Sequence, residues 1–460
     1  MKTNLADIPS VERILQFPHI KECITNFGRP LVLGEIRIVL DTIRKNAEKG
    51  CEIPENDELI RQLDASLQEI ENKSTRPVIN ATGVILHTNL GRAPLSQSAI
   101  SAMQESSAGY SSLEFDILTG SRRKRTEPAE YLLKKLLGID EALIVNNNAS
   151  AVMLVLSALA SNRKVVIARS QIVEIGGGFR LPDILKQSGA HLIEIGTTNQ
   201  IRLTDYENGI REGGKLILRT HPSNFKIIGY TGEPKLTEIC KLASSLKIPV
   251  VDDLGSGAIL DTTKFGLAHE PMVQESLMAG ADVVCFSGDK LLGGPQSGII
   301  VGKKEYLGKI KKHPLARALR ADKVLLSGLE ATLKEYLKDK AEERIPVWKM
   351  ISEKENSLKK RAEAWSEKIG FGMVISGKST IGGGSLPEET LPTWLFSLQV
   401  KHPDAFLKKL RYSTLPILAR IQNDLIVFDP RTVLEEQDEV LVSSIIKILQ
   451  ETRENYEKRT

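Results

Sequence analysis

A serine, a carboxylate and a lysine share one short polar turn, Ser287-Gly-Asp-Lys290, set between apolar runs at 283–286 and 299–301 that read as buried strands. Burial penalises an ammonium and lowers its pKa, which frees a neutral amine to form a Schiff base with an aldehyde. Pyridoxal phosphate is the usual aldehyde for such an amine. Taken alone, the turn fits a solvent-exposed loop lysine better, because Ser-Gly-Asp-Lys turns are common. The rest of the chain must decide.

From residue 77 onward, strand-like runs at 142–145, 164–168, 191–195, 215–218, 249–251 and 283–286 alternate with helical patterns such as 154–159 and 236–246. This alternation predicts α/β architecture, a mostly parallel sheet with helices on both faces. Ligands of open sheets sit at the carboxyl ends of the strands, and the polar motifs fall there. Asn148, Ala149 and Ser150 follow the first strand and open a helix, as a phosphate cradle or as a plain N-cap. Asn224 in Thr220-His-Pro-Ser-Asn224 is placed to bond a ring oxygen. Asp252 and Asp253 close the fifth strand, where a carboxylate can keep a pyridinium nitrogen protonated or can simply begin a turn. Asp252 is preferred because it directly ends the apolar run. Ser287 adds a second phosphate-facing hydroxyl. A cradle, an Asn, an Asp and then Ser-x-x-Lys at successive strand ends resembles the large domain of fold-type I pyridoxal phosphate enzymes such as aminotransferases.

The 460 residues suggest two or three domains. Residues 1–75 read as a helical module, with Ile36, Leu40, Ile43 and Ala47 in one helix and Leu59, Leu63, Leu67 and Ile70 in another. Residues 76–340 form the large domain. Residues 341–460 form a small α/β domain with strands at 394–400 and 425–428, reached through a long helix over 338–368. No run of about 18 apolar residues or leader-like segment occurs, so a cytoplasmic protein is expected. A net charge of +4 on so long a chain does not diagnose a nucleic-acid partner, although 303–323 and 122–135 are basic. Four scattered cysteines and no His-Glu-x-x-His motif suggest neither a disulfide framework nor a metal centre.

One stretch narrows the family: Arg76-Pro-Val-Ile-Asn-Ala-Thr-Gly-Val-Ile-Leu-His-Thr-Asn-Leu-Gly-Arg-Ala-Pro94 is similar to the opening of the catalytic domain of bacterial selenocysteine synthases. The similarity continues in Val173-Glu-Ile-Gly-Gly-Gly-Phe-Arg-Leu-Pro-Asp183, Ile195-Gly-Thr-Thr-Asn199, Ile381-Gly-Gly-Gly-Ser-Leu-Pro387, Ala419-Arg-Ile421 and Asp429-Pro-Arg-Thr432. It implies that Lys290 carries pyridoxal 5′-phosphate and takes the Cα proton of seryl-tRNA(Sec). Water then leaves to give an aminoacrylyl intermediate, and selenium from selenophosphate adds at Cβ. Arg92, Arg317 and Arg320 would bind the anion, and Asp289 would orient reacting groups. Arg317 and Arg320, three apart, would share a helix face. The resemblance further implies that the helical module grips the tRNA, and that the assembly is a homodecamer, a pentamer of dimers with shared active sites. Neither membrane nor DNA is implied.

Two rivals share the motifs. One is a pyridoxal phosphate lyase of a phosphorylated amino-sugar acid, a class that generally lacks the helical module. The other is a non-catalytic tRNA-binding relative, against which Lys290, Asp252 and the arginines argue. The module itself is acidic over residues 1–72, with nine Lys/Arg against thirteen Asp/Glu, unlike a surface built on phosphate contacts.

Overall fold

The computed structural model describes residues 7–71, 75–175 and 178–457, in two units, Met1–Pro77 and Val78–Thr460. The first unit is helical: Val11–Leu15, Pro18–Phe27, Arg29–Glu48 and Asn56–Glu71. Ile36, Leu40 and Ile43 meet Leu59, Leu63 and Leu67 in one apolar cluster, as helical spacing predicts. Ile70 does not join them and is 49% exposed. The buried row advances by four residues at a time, and a step of three from Leu67 rotates Ile70 toward water.

In the second unit seven strands form the main sheet. They are β1 (Glu141–Val145), β2 (Lys164–Ala168), β3 (His191–Ile195), β4 (Gly214–Thr220), β5 (Val250–Gly255), β6 (Val283–Ser287) and β7 (Gly298–Gly302). Their order is β1-β7-β6-β5-β4-β2-β3. β7 runs in the direction opposite to the other six strands. Both faces are covered, and alternate residues enter different clusters. Val250, Val284 and Ile299 pack on one side; Val251, Cys285 and Ile300 pack on the other, against helix Asn148–Ala160. This double burial explains why the strands read as continuous apolar runs.

A five-stranded sheet follows in the order Arg420–Gln422, Leu425–Phe428, Thr390–Leu398, Met373–Gly382, Val84–Leu86. Its last strand comes from near the start of the unit and runs parallel to Met373–Gly382. Ile79–Asn80 likewise pairs with Ile417–Leu418. The long helix expected over 338–368 is instead three pieces, Ala341–Arg344, Pro346–Ser352 and Glu355–Ile369. Pro346 lacks an N–H, and Ile345 before it is extended (φ −89°, ψ 116°), so the helix must restart there.

Two of the family-like motifs lock these segments together. Asp429 accepts from Ser379 Oγ (2.7 Å) and Thr393 Oγ1 (2.9 Å), while its N–H donates to Ala81 O. Gly83 N donates to Thr432 Oγ1, and Arg420 donates to Thr82 O. A Cβ on Gly83 would lie 2.3 Å from the Asp429 carboxylate, so only glycine fits. No helix among the described residues is long and apolar enough to cross a membrane.

Candidate active site

The ends of β1, β4, β5 and β6 converge on a cavity of about 450 Å³ whose wall includes Asn148, Thr220, Asp253, Ser287 and Lys290. Lys290 is 8% exposed. Burial lowers its pKa, the Arg92 guanidinium lowers it further, and Asp253, Asp289 and Glu270 pull the other way. The glycine loop that follows Met373–Gly382 comes close to the amine. A Cβ on Gly384 would stand 2.6 Å from Lys290 Nζ, so any side chain there would strike the amine.

Arg92 reaches the same cavity through a strained backbone. It adopts φ 65° directly after Gly91 at φ 87°, a conformation costing a non-glycine residue about 1–3 kcal/mol. The surroundings impose it. Arg92 N donates to His87 O (3.1 Å), Ala93 N donates to Asp289 O (3.2 Å), and Arg92 Nη1 donates to Asp289 Oδ2 at 2.8 Å. Asp289 thus aims the guanidinium toward the lysine.

The fifth strand corrects the preferred aspartate. Asp252 shares a face with Val250, away from the cavity, and is fully buried. There it accepts from Arg219 Nη1 (3.0 Å) and Ser276 Oγ (2.6 Å). Burial alone would lower the pKa of Arg219, but Asp252 and Glu233 hold it well above its ordinary value. Asp253 points the other way, lines the cavity and accepts from Asn148 Nδ2 at 2.8 Å. Burial pushes its carboxyl up to about 6 against the pull of Asn148 and Lys290. The side of the strand decides, because consecutive side chains point to opposite faces.

The remaining candidates divide. Asn148, Ala149, Ser287 and Asn224 line the cavity. Asn224 is exposed at the rim, donating to Glu174 O at 3.4 Å. Ser150 is outside the lining, and its N–H is capped by Asn147 Oδ1 (2.8 Å). Arg317 and Arg320 also stand outside it. The helix they were expected to share ends at Ala318. Arg320 lies beyond that helix, bridged to Val145 and 3.5 Å from Glu114, while Arg317 is exposed. Gly176 and Gly177 of the Val173–Asp183 motif lie outside the described residues.

Four polar cavity residues were given no role from the sequence, although Thr88, His221 and Ser223 lie inside quoted motifs; the fourth is Gln296. Behind His221, 3.6 Å from its Nε2, lies Glu270, 2% exposed, whose Oε1 has no hydrogen-bond partner. The other Glu270 oxygen accepts from Leu386 N at 3.4 Å, tying this wall to the glycine loop.

The cavity fits a polar, phosphorylated ring. Asn148 Oδ1 and Thr220 Oγ1 are buried in its wall without partners, a costly state unless a ligand bonds to them. The N-terminus of helix Asn148–Ala160 offers unpaired N–H groups to an anion. Asp253 provides a carboxylate and Lys290 an amine.

Comparison with known proteins identifies the family. Among solved structures, D-glucosaminate-6-phosphate ammonia-lyase shares the fold, with a TM-score of 0.59 at 19% identity over 84% of this chain and 98% of that one. A curated relative from Carboxydothermus hydrogenoformans, named L-seryl-tRNA(Sec) selenium transferase, is 42% identical over 94% of this chain and 95% of its own. A relative of the same name from Alkaliphilus oremlandii is 41% identical over 96% and 98%. The selenocysteine synthase N-terminal model matches residues 5–44, and the L-seryl-tRNA selenium transferase model matches residues 78–434. With a buried lysine at the strand ends and likeness running the length of both chains, this protein belongs to the L-seryl-tRNA selenium transferase family.

Proposed function

We propose that this chain converts L-seryl-tRNA(Sec) into L-selenocysteyl-tRNA(Sec), with pyridoxal 5′-phosphate as cofactor and selenophosphate as selenium donor. The observation that carries this reading is the buried Lys290 amine, facing Asp253 and the Arg92–Asp289 pair within one cavity. When bound, the cofactor supplies an electron sink that lets the serine Cα give up a proton. Lys290 is the base that takes this proton, its pKa lowered by burial and by Arg92. With the cofactor bound, Asp253 would keep a proton on the ring nitrogen, Asn148, Ala149 and Ser287 would hold the phosphate at the helix start with Ser150 supporting the turn, and Asn224 would bond the ring from the rim. The serine hydroxyl leaves as water, the selenium of selenophosphate adds at Cβ while Lys290 returns the proton to Cα, and the P–Se bond is cleaved by water to release phosphate. Incorporation of selenium into charged seryl-tRNA(Sec) with selenophosphate is the deciding experiment. No incorporation with a correct tRNA would move the chain to the small-molecule lyases, whose likeness to it is one of fold.

Arg92 serves the selenium-donor phosphate in its own cavity. Arg317 and Arg320 serve the same group from across a subunit boundary, in keeping with a cytoplasmic homodecamer built from dimers with shared active sites. Their position outside the lysine cavity of their own chain supports this division. A charge-assisted hydrogen bond contributes about 1.5–3 kcal/mol, so Arg317→Ala with Arg320→Ala is expected to slow selenium transfer by on the order of 10²-fold. The cofactor absorbance should persist; its loss would reassign both arginines to cofactor binding.

The helical module, residues 1–75, is the tRNA grip, and residues 341–460 complete the catalytic body. The module has its own apolar cluster, so removing residues 1–72 should leave the rest folded. In a gel shift, affinity for selenocysteine-specific tRNA is expected to fall by about 10²-fold, the gain that linked contacts give. Unchanged affinity would place recognition elsewhere.

A further inference from the structure

Outside the lysine cavity, one cluster of metal-type donors stands out among the described residues. His19 and Cys23, four apart on helix Pro18–Phe27, share a face. Asp64 meets them from helix Asn56–Glu71. One donor atom of each lies within 4.8 Å of the others. His19 Nε2 is 2.8 Å from both Asp64 oxygens, and Cys23 Sγ is 3.6 Å from Oδ1. Cys23 is 5% exposed, whereas the His19 and Asp64 side chains are 45% and 33% exposed. A surface His–Asp pair needs no thiol beneath it. Burial first, and then Asp64, push the Cys23 thiol up, so without a cation its proton stays on and the carboxylate accepts it.

We propose that His19, Cys23 and Asp64 form a three-donor site for a borderline-soft divalent cation, zinc foremost, with a water as fourth ligand. Zinc–ligand bonds of about 2.0–2.3 Å put tetrahedral donors roughly 3.3–3.8 Å apart. The observed separations, from 2.8 Å to within 4.8 Å, straddle that range, so small side-chain rotations close the site. Binding releases the thiol proton. Thiolate and carboxylate then balance the two charges of the cation. A thiolate disfavours magnesium and calcium, which take oxygen ligands. The open side of the site is the solvent side, through His19 and Asp64. Bound metal staples helix Pro18–Phe27 to helix Asn56–Glu71, adding its binding free energy to the stability of this unit. The spacing is silent in the sequence because the third ligand comes 41 residues after Cys23.

The test is cobalt(II) titration of the full-length, cofactor-loaded chain, read as a difference spectrum. A thiolate-to-cobalt charge-transfer band with tetrahedral visible bands is expected, reversed by zinc. Cys23→Ser should abolish the charge-transfer band, and Cys51→Ser, at an exposed cysteine, should leave it. His19→Ala, an exposed change that spares the core, should weaken apparent affinity by about tenfold or more, since even outer-shell partners are worth that much. Absence of the band in the unmodified chain, or its survival in Cys23→Ser, overturns the proposal, as does unchanged affinity in His19→Ala.

Discussion

Replacing Lys290 by alanine is expected to reduce selenium transfer by at least about 10³-fold, because the covalent attachment point and the Cα base are lost together. The same variant should lose the yellow, borohydride-reducible chromophore of the unmodified protein. A variant that kept that chromophore would show the cofactor attached elsewhere. Solvent should not rescue the step, because Lys290 is enclosed by the Gly384 loop on one side and the Arg92–Asp289 pair on another. Small primary amines added to Lys290→Ala should restore little unless they fit between these walls.

The adjacent aspartates of β5 should separate cleanly. Asp253→Asn is expected to cost on the order of 10²–10³-fold in activity, the scale of losing one preorganised charge at a reacting centre, while the chain stays folded. Asp252→Ala should do the reverse, leaving Arg219 with Glu233 alone and the buried Ser276 hydroxyl without its acceptor, a loss of about 1–3 kcal/mol. Thermal melting beside cofactor titration distinguishes the two. Equal activity losses with unchanged melting would refute the assignment of faces. Asp253 also gives a pH signature in the cofactor-free chain. Folded, its carboxyl takes a proton near 6; unfolded, near the ordinary 3.8. Between those values the folded state holds more protons, so this group's contribution to stability rises as pH falls from about 6 toward 4. Asp253→Asn should flatten that stretch.

Much of this was legible from local pattern. Strands at Lys164–Ala168 and His191–Ile195 have the bounds their apolar runs predict, since a doubly covered sheet leaves few other readings. The same double burial hid the choice between Asp252 and Asp253. When both faces are apolar, the pattern does not reveal which face holds the ligand, and the end of the run was the wrong guide. Arg317 and Arg320 were given a shared helix face because three-residue spacing was read without the early end at Ala318. Glu270 behind His221 and the approach of Gly384 to Lys290 join residues tens to nearly a hundred positions apart. No local signal encodes them. The Asp429–Thr432 motif was legible as a family mark, whereas its work, clasping Ala81 to Gly83, emerges only from the hydrogen bonds.

Arg92 hangs from the strand Val84–Leu86, which among the described residues pairs only with Met373–Gly382. A ribosome delivers those partners nearly 300 residues apart. While the chain is being made, the main sheet has all seven strands once Gly302 has emerged, but the segment carrying Arg92 still lacks its edge. Such a distant pairing forms late. Newly made chains should therefore complete the strands around Lys290 before the edge beside Arg92 is paired, with the Asp289 contacts alone holding the guanidinium until residue 373 and its strand emerge.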